Sequence, residues 1–154
     1  MQDLSKYFTM VEEIIRSLGV DPALCRGQNP GQYSLMLGSA RVWIDVWYIE
    51  SQGRSYFQAM SPVMRLPILQ SQHAFFQELL EINDKLYGVA FTVYNGWAWL
   101  KHIRETDGLD KSEAEAMIHR IGVYADQYDD YLKGKYGEAP IIGSAAPGAP
   151  GQAL

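Results

Sequence analysis

The stretch "VYNGWAWLK", Val93 to Lys101, sets a turn dipeptide between two runs of strand-forming residues. Asn-Gly in that position is the strongest short-range hairpin signal, because a type I′ turn needs positive φ at both central residues. A two-residue loop also fixes register, so Tyr94 pairs with Trp97, Val93 with Ala98, Thr92 with Trp99, and Phe91 with Leu100. Side chains alternate along a strand and therefore sort onto two faces. Val89, Phe91, Val93, Ala98 and Leu100 share an aliphatic face, and Ala90, Thr92, Tyr94, Trp97, Trp99 and Lys101 share the opposite one.

Upstream lie three further stretches rich in aromatic and β-branched residues, "QYSLML", "RVWIDVWYI" and "RSYFQAM", separated by "GSA" and "ESQG". They read as an antiparallel meander. Pro62 and Pro67 cannot donate to a ladder and are expected to close its third strand. In the second strand, Val42, Ile44, Val46 and Tyr48 face one way, and Arg41, Trp43, Asp45, Trp47 and Ile49 the other. All four tryptophans thus fall on mixed faces.

Helices frame these strands. Leu4, Phe8, Val11, Ile15 and Leu18 recur at amphipathic spacing, and Gly19 and Pro22 end that segment. Ser71 can cap a second helix with Phe75, Phe76, Leu79, Leu80 and Ile82 on its apolar face, ending near Asn83-Asp84. A long third helix opens at "DKSE" and reaches about Lys133; Asp110 with Glu113 has capping-box spacing, and Ser112 with Glu115 offers a competing frame. The expectation is an α+β fold with a five-stranded antiparallel sheet, in the order α-β-β-β-α-β-β-α.

At 154 residues the chain is long enough for one domain with a real core. Residues 1–137 are expected to form it, and the Ala/Pro/Gly-rich residues 138–154 a disordered tail, with Ile141 and Ile142 as the only hint of a docking motif there. The formal charge is −5, with thirteen Lys and Arg scattered singly against eighteen Asp and Glu. A phosphate-neutralising stripe is missing, which argues against a nucleic-acid partner even though strand aromatics can stack bases. Cys25 is the only cysteine, so no internal disulfide or thiolate zinc cluster can form within one chain. No leader pattern and no long apolar run stands in the sequence, and the expected location is the cytoplasm, without membrane attachment.

Catalytic signatures are missing too. His73, His102 and His119 lie in different elements without ligand spacing, and no P-loop, GxGxxG or GxSxG motif occurs. Asp126, Asp129 and Asp130 suit a divalent cation or simply a solvated helix face, and Cys25 beside Arg26 reads as a passive thiol. No enzyme activity, metal or cofactor is expected. The distinctive feature is the mixed sheet face. A large aromatic side chain buries about 150–250 Å², so several together exceed the roughly 300–600 Å² usual for the largest apolar patch on a monomer. Trp43, Trp47, Tyr94, Trp97 and Trp99 are accordingly the candidate partner surface; the alternatives are cover by this chain itself and a small ligand held against Trp97 and Trp99.

The segments "SYFQAMSPVMRLP", "ELLEIN", "GVAFTVYNGWAWL" and "RETDGLDKSEAEAMIHRIGVYADQYDDYL" together resemble the YbjN family, described as bacterial sensory transduction regulators, from about Gln32 to Leu132. The resemblance implies the fold of type III secretion chaperones, whose homodimers hold an extended segment of a client protein. It favours a non-enzymatic protein-interaction domain, chaperone-like or a regulatory adaptor; a small-ligand sensor is the alternative.

Overall fold

The structure of the chain, a computed structural model, describes residues 3–139. The elements are α1 (Ser5–Ser17), β1 (Gln32–Leu37), β2 (Ala40–Ile49), β3 (Arg54–Arg65), α2 (Leu69–Asn83), β4 (Ala90–Tyr94), β5 (Trp97–Glu105) and α3 (Lys111–Tyr136), with a 3₁₀ turn at Pro22–Leu24. The α+β order read from the sequence is thus the order observed. All five strands pair antiparallel, in the spatial order β1-β2-β3-β5-β4.

Asn95 and Gly96 both have positive φ, and the β4–β5 register is the one a two-residue turn imposes, Tyr94 opposite Trp97 through Phe91 opposite Leu100. The third strand runs further than its prolines suggest. β3 passes through Pro62 to Arg65, because Pro62 lies beyond the last β2 pair, Trp43 with Met60, and beside a register shift between Pro62 and Met64 on the β5 side. A missing N–H is tolerated at such a bulge, where the ladder is already broken.

The helices lie on the aliphatic side of the sheet, where Val42, Ile44, Phe57, Ala59 and Leu100 meet Ile118 and Ile121 of α3 in one core. α1 turns its stripe slightly from the expected one: Tyr7, Val11, Ile14 and Ile15 are buried and Leu18 is exposed. The Tyr7 hydroxyl explains part of this, since it donates to the Thr106 carbonyl at 2.9 Å. Gly31 sets how closely α1 approaches the sheet. Its φ is +84°, and a Cβ there would stand 2.3 Å from the Val46 carbonyl oxygen and 2.7 Å from the Phe8 ring.

α2 begins at Leu69 without a side-chain cap; Ser71 is two residues inside it and donates its backbone N–H to Ile68. Phe75, Leu79 and Ile82 are buried, whereas Leu80 is exposed. α3 opens on the Asp110–Glu113 capping box, the first of the two frames. Its end is tied to α2 by Glu78, whose carboxylate accepts from the Tyr131 and Tyr136 hydroxyls and, at 2.9 Å, from the Lys135 ammonium. Burial pushes the Glu78 carboxyl up, but those hydrogen bonds outweigh it and hold the group below the usual range.

After α3 the chain turns back to the sheet. The Arg65 N–H donates to the Glu138 carboxylate at 3.0 Å, and the Ala139 N–H donates to the Leu66 carbonyl at 3.2 Å. The tail expected over 138–154, Ile141 and Ile142 included, lies from residue 140 onward outside the described residues.

Candidate functional site

Across the sheet from the helical core, β2, β3 and β5 place Trp43, Asp45 and Trp47 beside Tyr56, Gln58 and Met60, and these beside Trp99, Lys101 and Ile103. The pairing follows from antiparallel register alone: Trp43 is opposite Met60, Asp45 opposite Gln58, and Trp47 opposite Tyr56. The Trp43 and Trp99 rings are 5.2 Å apart and tilted, and Trp47 stacks on Tyr56 at 5.7 Å. Trp47, Met60 and Trp99 are buried yet stand outside the helical core, so this face has a small aromatic cluster of its own.

The five candidate residues therefore share one face but not one environment. Trp99 is only 1% exposed, with its indole N–H donating to the Tyr94 carbonyl at 3.2 Å. Trp47 is buried as well, and its Nε1 has no hydrogen-bond partner among the described residues. Trp43 and Trp97 are half-buried, and Tyr94 is 46% exposed. Trp97 sits at the end of the sheet, between Tyr94 on β4 and Arg65 on β3.

Sequence reasoning passed over the β3 members of this face. Tyr56, Gln58 and Met60 alternate with the buried Phe57 and Ala59 in "RSYFQAM", so the same period-two sorting finds them. It also left Asp45 without a role. Asp45 is 3% exposed, and burial pushes its carboxyl up against weaker opposing effects from Gln58, Gln32 and Lys101. Its bond from Gln58 Nε2 is long, 3.4 Å, and Gln58 Oε1 has no partner among the described residues.

Where β2 and β3 part beyond the Trp43–Met60 pair, a cleft of about 340 Å³ opens. Met36, Trp43, Pro62, Val63 and Trp97 form its apolar walls, with Arg41, Asp129 and Lys133 at its polar side. Asp129 is engaged there by Lys133 at 3.7 Å, and Asp126 accepts from the Ser39 hydroxyl.

The other reactive side chains are dispersed. His73 is on α2, His119 on α3, and His102 on β5, where burial, with Arg120 and Arg104 nearby, lowers its pKa. Burial and Asp21 raise the pKa of the Cys25 thiol, while Arg26 turns away to Glu12. Among the described residues no group of three or more His, Cys, Asp or Glu side chains could hold a metal ion, and no helix is long and apolar enough to cross a membrane.

This fold, a five-stranded antiparallel sheet with helices on one face, is similar to that of three solved structures, one of them a type III secretion chaperone. The crystal structure of the ExsC–ExsE complex matches with a TM-score of 0.65 at 18% identity, over 86% of this chain and 97% of that one. The HopA1–SchA chaperone–effector complex matches at 0.59 and 12%, over 84% and 99%. The Yersinia pestis type III secretion chaperone SycH, in complex with a fragment of YscM2, matches at 0.54 and 14%, over 79% and 98%. At these identities the likeness is one of fold. No protein-family model matches the chain, and no curated protein sequence matches it.

Proposed function

We propose that the chain is a non-enzymatic protein-interaction domain of the YbjN type, a chaperone-like or regulatory adaptor that works in the cytoplasm as a homodimer. A partner or client protein is held against the face that carries Trp43, Trp47, Tyr94, Trp97 and Trp99. One observation carries this reading: the helices pack on the other side of the sheet, leaving Trp43, Trp97 and Tyr94 partly exposed around a buried Trp99. Aromatic side chains ringing a buried centre are the usual make-up of a protein-binding hot spot. The structural neighbours support it further, since two of them are named as chaperones in complex with another protein.

Affinity capture from the native host, combined with the solution mass of the purified chain, tests the proposal. A specific protein partner and a mass of two chains are expected; a strictly monomeric chain that captures no specific protein overturns it. The 340 Å³ cleft between Trp43 and Trp97 favours a second reading, a small-ligand sensor. Concentration-dependent thermal stabilisation by one class of compound would select that reading instead.

A further inference from the structure

The cleft beside Trp43 and Trp97 combines apolar walls with a cation that no neighbouring side chain neutralises. Period-two alternation puts that cation there: Arg41 stands two residues before Trp43 on the same face of β2, opposite Met36 of β1. The acids on the α3 side are committed elsewhere. Asp129 is engaged by Lys133 at 3.7 Å, and Asp126 accepts from the Ser39 hydroxyl. Arg41 also lines the cleft, is exposed, and has no ion pair among the described residues. Its guanidinium offers a planar fork of N–H donors, the shape that a carboxylate accepts with both oxygens.

We propose that this cleft binds a small monocarboxylic acid, its apolar body against Trp43 and Trp97 and its carboxylate on the Arg41 guanidinium. The proposal rests on the small-ligand reading of the cleft and names the class of ligand. Size agrees with it, since about 340 Å³ lies at the lower end of small-molecule sites and suits one ring or a short chain. So does composition: such sites are mostly apolar, with a few polar groups that fix orientation. Charge then separates the candidates. A neutral apolar molecule leaves the Arg41 donors to water, and a cation meets Arg41 with no uncommitted acid to offset it. A second negative charge finds Lys133 already held by Asp129. One carboxylate on an apolar body matches what the cleft presents.

Nuclear magnetic resonance titration of the full chain tests this, with the Trp43 and Trp97 indole N–H signals as reporters. Phenylbutyrate and phenylbutanol share an apolar body and differ in the charged end; hexanoate and hexanol repeat the comparison with an unbranched chain. Each acid is expected to shift both signals saturably and to bind roughly three- to fivefold tighter than its alcohol, as an exposed ion pair allows. Added salt is expected to shrink that preference. Arg41→Gln is expected to abolish it at an unchanged melting temperature, because Arg41 is exposed. Arg41→Lys keeps part of it, with a point charge in place of the fork. Equal binding of acid and alcohol, or a preference that survives in Arg41→Gln, overturns the proposal and leaves the small-ligand reading standing. If no probe shifts the two signals, both fall.

Discussion

Asp45 is a carboxylate held in the middle of an aromatic sheet face, 3% exposed, with one long hydrogen bond from Gln58. Burial raises its pKa above that of an unfolded aspartate, so the folded chain holds this proton more tightly than the unfolded chain does. The sign follows: the group favours folding at pH below the ordinary carboxylate range, and that contribution is lost as pH rises through the folded pKa. Asp45→Asn removes the buried charge, and its new amide can donate to Gln58 Oε1, which now has no partner among the described residues. The substitution is expected to stabilise the protein at pH 7 by about 1 kcal/mol, the net worth of one neutral hydrogen bond, and by less in acid. Thermal melts at the two pH values check this; a lower melting temperature for the asparagine variant at pH 7 would mean that Lys101 holds the charge more firmly than burial opposes it. Nothing in the local pattern around Asp45 announces this burial, because alternation assigns a face and says nothing about what surrounds it.

Besides their shared apolar core, α2 and the edge strand β4 are tied by one polar side chain. Asn83, the last residue of α2, accepts the Phe91 N–H at 2.6 Å and donates to the Phe91 carbonyl at 3.3 Å, so its amide stands in for the next strand. An edge strand with free N–H and C=O groups invites pairing with another chain, and this contact closes β4 near its start. Asn83→Ala is expected to cost about 1–2 kcal/mol and to speed hydrogen exchange at Phe91, with Asn83→Asp intermediate because it keeps only the acceptor. Unchanged exchange at Phe91 in the alanine variant would show that β4 is protected by something else. The helix end near Asn83 is readable from sequence, but its bond to Phe91 is not, since it depends on how α2 docks. Pro62 teaches the same lesson in reverse: proline argues for a strand end, and only the bulge and the finished β2 ladder let β3 continue to Arg65.

For the whole molecule, the aromatic face divides into a buried centre and an accessible rim. Trp99→Ala removes a side chain that is 1% exposed and is expected to cost about 3–5 kcal/mol of folding stability, as large core truncations do. Trp97→Ala, at the half-buried end of the sheet, is expected to leave the melting temperature close to that of the parent and to weaken association with a partner or a second copy. Denaturant unfolding beside solution mass and partner capture separates the two; a Trp97 variant that unfolds as easily as the Trp99 variant, with association intact, would place Trp97 in the core as well. The sequence by itself determined the element order, the Asn95-Gly96 turn, the β4–β5 register and which residues share a face, and it narrowed the start of α3 to two capping frames, of which the structure takes Asp110 with Glu113. These rest on backbone sterics, capping geometry and period-two alternation, all acting within about ten residues. Only the tertiary structure decided that Trp99 and Trp47 are buried while Trp43, Trp97 and Tyr94 are not, that Asp45 faces Gln58, and that the chain after α3 returns to Leu66. Those outcomes depend on contacts between elements far apart in the chain, whose packing no local pattern encodes.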